Sequence, residues 1–135
     1  MKIHFQHLHL FCKNLDPMVA FWTEAMGATV VVKRKMGAAD GAELSLPGNL
    51  PLYIRGASLS DTNAVDASKD TSVRFSSFDH VGFAVDDMVA CLEHLGKRAD
   101  VTITRPPFNS GSNLCAFIRG PEGVHIELVQ PGGAK

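Results

Sequence analysis

Apolar and polar side chains alternate along residues 5–12, so that Leu8, Leu10 and Cys12 point one way and His7, His9 and Phe11 the other. The same period of two returns at residues 78–85, where Val81, Phe83 and Val85 oppose His80, Gly82 and Ala84. Both segments predict strands with one apolar face. After each, the period lengthens to that of a helix. In the first helix Asp16 is placed to cap and Pro17 suits the opening turn, with Val19, Trp22 and Met26 on one stripe and Gly27 at the end. In the second, Asp86 or Asp87 opens a helix whose stripe is Met88, Cys91, Leu92 and Leu95, closed by Gly96. Three strands follow each helix, near 28–34, 41–46 and Leu50–Arg55 in the first half and near 101–104, 114–119 and 124–129 in the second.

The two halves are therefore copies of one βαβββ unit. His7 falls on His80 at an offset of 73 residues and Tyr53 falls on Glu127 at 74, so the register holds to one residue across the repeat. Residues 57–76, rich in Ser, Asp and Thr, read as a surface connection between the copies. The expected organisation is one domain over 1–135, with a first module at about 1–56, a linker at 57–76 and a second module at about 77–131. Neither half can bury its sheet alone, so the two sheets are expected to pair, within the chain or by exchange with a second chain.

Composition narrows the function classes. At 135 residues, 45% hydrophobic and 20% charged, the chain has enough apolar material for a real core. Its net charge of −1 offers nothing to neutralise a run of nucleic-acid phosphates or to hold an anionic membrane. No stretch approaches the roughly 20 apolar residues of a membrane span, and the first residues lack the apolar core of a signal peptide, so a cytoplasmic location is expected. The three cysteines, Cys12, Cys91 and Cys115, stand apart in apolar settings and read as reduced core thiols, with a thiol nucleophile as the minor alternative.

Six histidines are more than composition requires, and their placement matters more. By the alternation, His7, His9, His80 and His125 share a polar face with Tyr53, Arg55 and Glu127. A polar face with so little Lys and Glu describes the lining of a pocket. Four corners are related in pairs by the repeat: His7 with His80, and Tyr53 with Glu127. Two imidazoles and one carboxylate suit a divalent transition metal and leave coordination positions for substrate or water, whereas a structural zinc site would want four closed ligands.

The pattern Phe-x-His-aliphatic-x-aliphatic before a helix, twice, closed by Gly120-Pro121-Glu122-Gly123-Val124-His125-Ile126-Glu127-Leu128-Val129, resembles the vicinal oxygen chelate superfamily. That superfamily includes glyoxalase I, methylmalonyl-CoA epimerase, fosfomycin-resistance transferases, bleomycin-binding proteins and extradiol dioxygenases. The resemblance covers nearly the whole chain. It implies an α+β fold in which two βαβββ modules pair into a half-open mixed β-barrel around a metal. It also implies His7, His80 and Glu127 as ligands to a divalent ion (Fe, Mn, Zn, Ni or Co), a small-molecule substrate and a homodimer. The fourth corner departs from glyoxalase I and the epimerase, which carry Glu or Gln where this chain has Tyr53. A neutral phenol is a poor ligand, and its reference pKa of about 10 resists deprotonation. That departure argues against the glyoxalase I and epimerase mechanisms and leaves the dioxygenase and fosfomycin-resistance branches open.

Two functions follow. The first is a metal-dependent enzyme that binds neighbouring substrate oxygens and stabilises charge developing on them, with lyase, isomerase, epoxide-opening or ring-cleaving chemistry. In it Tyr53 and His9 are the candidate catalytic groups, and Arg55, His125 and Phe11 the candidate substrate contacts, Arg55 through its bidentate fork. Residues 106–113 would then be a lid or a hairpin connection. The second is a metal-free binding module of the bleomycin-resistance kind. Retention of His7, His80 and Glu127 favours the enzyme.

Overall fold

The computed structural model describes residues 1–2, 4–57 and 79–135. The chain divides into two compact units, Met1–Arg74 and Phe75–Lys135. In the first unit, strand β1 (Leu8–Phe11) leads into helix α1 (Leu15–Ala20), which widens into a π-helical turn over Phe21–Ala25. Strands β2 (Thr29–Met36), β3 (Ala39–Leu46) and β4 (Leu50–Arg55) follow. The second unit repeats the plan with β5 (Val81–Ala84), α2 (Met88–Leu95), β6 (Thr102–Ser110), β7 (Asn113–Arg119) and β8 (His125–Gln130). Each unit has an open four-stranded mixed sheet, ordered β1-β4-β3-β2 in one and β5-β8-β7-β6 in the other. In both, the first strand runs parallel to the last and the remaining pairs are antiparallel. The twice-built βαβββ order agrees with the alternation in the sequence.

The apolar face of each sheet is the core. Ala42, Leu44, Leu52 and Ile54 are buried in the first unit, with Met18, Val19, Phe21 and Trp22 from the helical segment. Ala116, Ile118, Ile126 and Leu128 are buried in the second, with Met88 and Leu95 of α2. Cys12 and Cys115 are buried free thiols and Cys91 is half-buried, so the reading as core thiols holds among the described residues. Burial pushes the Cys91 and Cys115 thiols up, away from the thiolate a nucleophile would need.

Three local expectations are corrected. Asp16 does not cap α1: the helix opens at Leu15 after Asn14, whose backbone is extended, and Asp16 sits inside the first turn. A carboxylate there suits the positive end of the helix, and it also reaches Lys33 Nζ at 3.8 Å. Second, the stripe ending at Met26 is re-phased by the π-helical turn, in which Met26 N–H donates to Phe21 O, five residues back. This brings the adjacent Phe21 and Trp22 both inside, with ring centroids 5.5 Å apart and edge to face. Third, the strand expected to end near residue 104 runs on, and of the two readings of residues 106–113 the hairpin connection is the one found. β6 continues through Pro106 and Pro107 to Ser110 and turns at Gly111, which has φ +59°, into β7. Prolines fit because β6 is an edge strand, where a missing N–H breaks no ladder on the open side.

In the second unit the opening of the helix falls on Asp87, whose carboxylate accepts from Ala90 N–H at 3.0 Å, and Gly96 closes it as expected. The linker reading at 57–76 lies, beyond Ala57, outside the described residues. Among the described residues no helix is long and apolar enough to cross a membrane.

Candidate functional site

The polar face of the second sheet is set by register. Gly82 stands opposite Glu127, which stands opposite Phe117, which stands opposite Arg105, so one row crosses all four strands on one face. His80 lies just before β5, and its Nε2 is 3.1 Å from Glu127 Oε2. Because Gly82 has no side chain, nothing from β5 stands in front of that carboxylate. On its other nitrogen, His80 Nδ1 donates to Asp79 Oδ2 at 2.7 Å. That bond fixes the ring so that Nε2 faces Glu127. It also holds the His80 imidazole above the usual histidine range, with Glu127 assisting against partial burial, and holds the Asp79 carboxyl below the usual carboxylate range. His125 and Phe117 pack against the same ring, with centroids 6.1 and 5.4 Å from that of His80.

The polar face of the first sheet is built on the same plan with different side chains. His9 stands opposite Tyr53 and Tyr53 opposite Glu43. His7 stacks on the Tyr53 ring at 4.3 Å and 18°, and His9 meets the same ring edge-on at 5.9 Å. Glu43 is engaged by Arg34, whose Nε and Nη2 both lie 2.6 Å from Oε1. Arg55 lies over the Phe11 ring at 4.9 Å. Partial burial, followed by the nearby His7, Arg55 and Arg34 charges, lowers the His9 pKa.

Of the residues singled out from sequence, the structure thus brings His80 next to Glu127 with His125 alongside, and gathers His7, His9 and Tyr53 in the first unit with Arg55 over Phe11. Among the described residues no group of three or more His, Cys, Asp or Glu is arranged to enclose a metal ion. The second unit contributes two donors, a neutral-capable imidazole nitrogen and a carboxylate oxygen, and these fit a divalent transition metal in type.

Several residues at these faces escape a reading by alternation alone. Glu43 and Arg34 come together only through cross-strand register. Gln6 and Asp79 carry a legible signal: they fall on equivalent places of the repeat, each immediately before a ligand-type histidine. Gln6 Oε1 contacts His7 Nδ1 as Asp79 contacts His80 Nδ1. In both copies the side chain before the histidine engages Nδ1 and leaves Nε2 for a ligand.

Twice-repeated βαβββ units, each with an open mixed four-stranded sheet, are the fold of the vicinal oxygen chelate class. The sequence pattern of the Glyoxalase/Bleomycin resistance protein/Dioxygenase superfamily matches residues 4–128, and the chain belongs to that family. A probable lactoylglutathione lyase of Vibrio cholerae is 24% identical over 92% of this chain and 88% of its own length. A lactoylglutathione lyase of Pseudomonas putida is 25% identical over 94% of this chain and 84% of its own. Among solved structures, a glyoxylase/bleomycin resistance protein/dioxygenase domain from Frankia superposes with a TM-score of 0.73 at 20% identity, covering 100% of this chain and 96% of that one. The fosfomycin resistance protein FosX from Listeria monocytogenes, solved as a glutamate-to-glutamine mutant with Mn(II) and 1S,2S-dihydroxypropylphosphonic acid, gives 0.72 at 14% identity over 97% and 94% of the two chains.

Proposed function

We propose that this protein is a divalent-metal-dependent enzyme of the superfamily, acting on a small substrate through two neighbouring oxygens. The observation that carries the reading is the repeated histidine arrangement: in each unit a neighbouring side chain engages Nδ1, and in the second unit Nε2 faces a carboxylate. His80 and Glu127 would hold the ion, with His7 as third donor, from the same chain or from a second copy in a homodimer. When bound, the ion supplies Lewis-acid stabilisation of charge growing on the substrate oxygens. Tyr53, an O–H donor beside His7, positions or protonates substrate, and His9, edge-on to the same ring, accepts a proton. The relatives named lactoylglutathione lyase support glyoxalase-like chemistry at the level of the family. Tyr53 in place of a fourth carboxylate or amide corner separates this chain from that lyase reaction itself.

The alternative is a metal-free binding module of the bleomycin-resistance kind. Metal analysis decides between them. Purified protein is expected to take up one equivalent of Fe, Mn, Zn, Ni or Co, and Glu127→Gln to lower that affinity about a hundredfold or more. Failure of all five metals to bind stoichiometrically would remove the enzyme reading and leave the binder. Oxygen uptake with a catechol and iron would select ring cleavage, while activity with zinc, manganese, cobalt or nickel would select lyase, isomerase or epoxide-opening chemistry.

A further inference from the structure

The second unit carries a surface that duplication alone does not produce. Val32 of β2 and Arg105 of β6 occupy equivalent places, opposite Glu43 and Phe117, at an offset of 73 residues. Arg34 and Phe108 are likewise equivalent, opposite Gly41 and Cys115, yet their offset is 74. The additional residue of the second copy therefore lies in Pro106-Pro107. The ladder of β6 shifts register twice, between Ile103 and Arg105 and again between Arg105 and Phe108. Each shift has a consequence. The first turns Arg105 from the core face of Ile103 to the face of Phe117 and Glu127. The second compensates the odd spacing from Arg105 to Phe108, which in a regular strand would send these side chains to opposite faces. Two irregularities in one nine-residue strand thus place an arginine and a phenylalanine side by side on the site face.

Their contacts are specific. Arg105 Cζ sits 3.5 Å above the centroid of the Phe108 ring, Phe108 stacks on Phe117 at 6.0 Å and 10°, and Phe117 meets the His80 ring at 5.4 Å. A guanidinium lying flat on a ring keeps its N–H edge available while its plane is fixed. Among the described residues no carboxylate forms an ion pair with Arg105, whereas Arg34 is held by Glu43 and Arg98 by Asp100. An exposed fork held over a ring, with no carboxylate paired to it among the described residues, is organised for an external anion.

We propose that Arg105, seated on Phe108, which in turn stacks on Phe117, is the receptor for a substrate carboxylate, and that the substrate is a planar, conjugated oxyacid. This rests on the reading of His80 and Glu127 as the reaction site. The row Glu127, Phe117, Arg105 spans two strand spacings, about 10 Å at the backbone. A carboxylate on Arg105 and a pair of oxygens near Glu127 are then separated by about one aromatic ring or its conjugated equivalent, which lies over Phe117. Arg55, the candidate read from the alternation, lies over the Phe11 ring of the first unit, and Arg105 is proposed in addition to it.

Calorimetric titration of the full-length protein tests this, using benzoate, cyclohexanecarboxylate and benzyl alcohol on metal-free protein and 3,4-dihydroxybenzoate against catechol on Mn(II)-loaded protein. Benzoate is expected to bind better than either analogue. Arg105→Met should weaken benzoate and 3,4-dihydroxybenzoate about tenfold to a hundredfold and leave catechol unchanged, and Arg105→Lys should recover only part of the loss. Lys97→Met, a charge removed elsewhere in the unit, should change nothing. Equal benzoate affinity in wild type and Arg105→Met, or an equal loss in Lys97→Met, would overturn the carboxylate receptor. An Arg105 effect that persists while Mn(II) adds nothing to 3,4-dihydroxybenzoate binding would overturn the metal reading and leave the receptor standing.

Discussion

On one strand plan the first unit sets Glu43 against Arg34 and Tyr53 against His7, while at the equivalent places the second sets Phe117 near Phe108 and Glu127 against His80. The acidic group of the first face is neutralised by its own unit. In the second, the carboxylate is set beside His80, and among the described residues no carboxylate pairs with Arg105. A duplicated scaffold has kept its apolar sides nearly interchangeable, Leu52 for Ile126 and Ile54 for Leu128, and has changed the side chains on the other face. Fold information and chemical information thus occupy alternate positions of the same strands, so one can be held while the other is exchanged.

The comparison can be pressed hardest at the partners of the two histidines. Asp79→Asn should lower metal affinity about tenfold to a hundredfold, because an ionised acceptor on Nδ1 is replaced by a neutral one. Gln6→Ala should cost less, and chelator competition on both variants measures the ratio. If Gln6→Ala proves the more damaging, the second unit does not lead in metal binding.

A second contrast is steric. Gly41 and Cys115 are equivalent, but a Cβ on Gly41 would stand 2.5 Å from Met36 Sδ and 2.9 Å from the Ile54 carbonyl oxygen. Gly41→Ala is therefore expected to destabilise the protein by about 1–3 kcal/mol in urea unfolding, whereas Cys115→Ala, which removes only the Sγ, should create no clash. Equal stability of Gly41→Ala and wild type would show that Met36 yields.

The smallest effect belongs to the turn after α2, where Arg98 Nε and Asp100 Oδ1 lie 2.9 Å apart. The bond to Arg98 holds the Asp100 carboxyl below the usual range, so its contribution is present above the carboxylate pKa of the unfolded chain and fades as pH falls through the depressed value. Asp100→Asn should cost about 0.5 kcal/mol at neutral pH, after allowance for exposure, and nothing in strong acid.

Much of this is legible in the sequence, for identifiable reasons. The bounds of β4 follow to the residue because Leu52 and Ile54 alternate cleanly with Tyr53 and Arg55, and Asp87 and Gly96 bound α2 because capping is local chemistry. Alternation ends β6 too early, because Pro106 and Pro107 look like loop residues when edge position and bulges are unknown. Arg105 escapes with it, since a strand's faces cannot be read by parity across a bulge. Glu43 is hidden because its partner is nine residues away on another strand, a proximity only the register supplies.

The extra residue at Pro106-Pro107 marks a place where the chain changes length without shifting the pairing of the hairpin on either side. The copies bear this out: with one residue fewer between them, Val32 and Arg34 stand opposite Glu43 and Gly41, the places equivalent to those of Arg105 and Phe108 opposite Phe117 and Cys115. On the proposed role of Arg105, the bulge beside it is a tuning screw mounted on the rim of the sheet, set apart from the buried side chains that keep it folded.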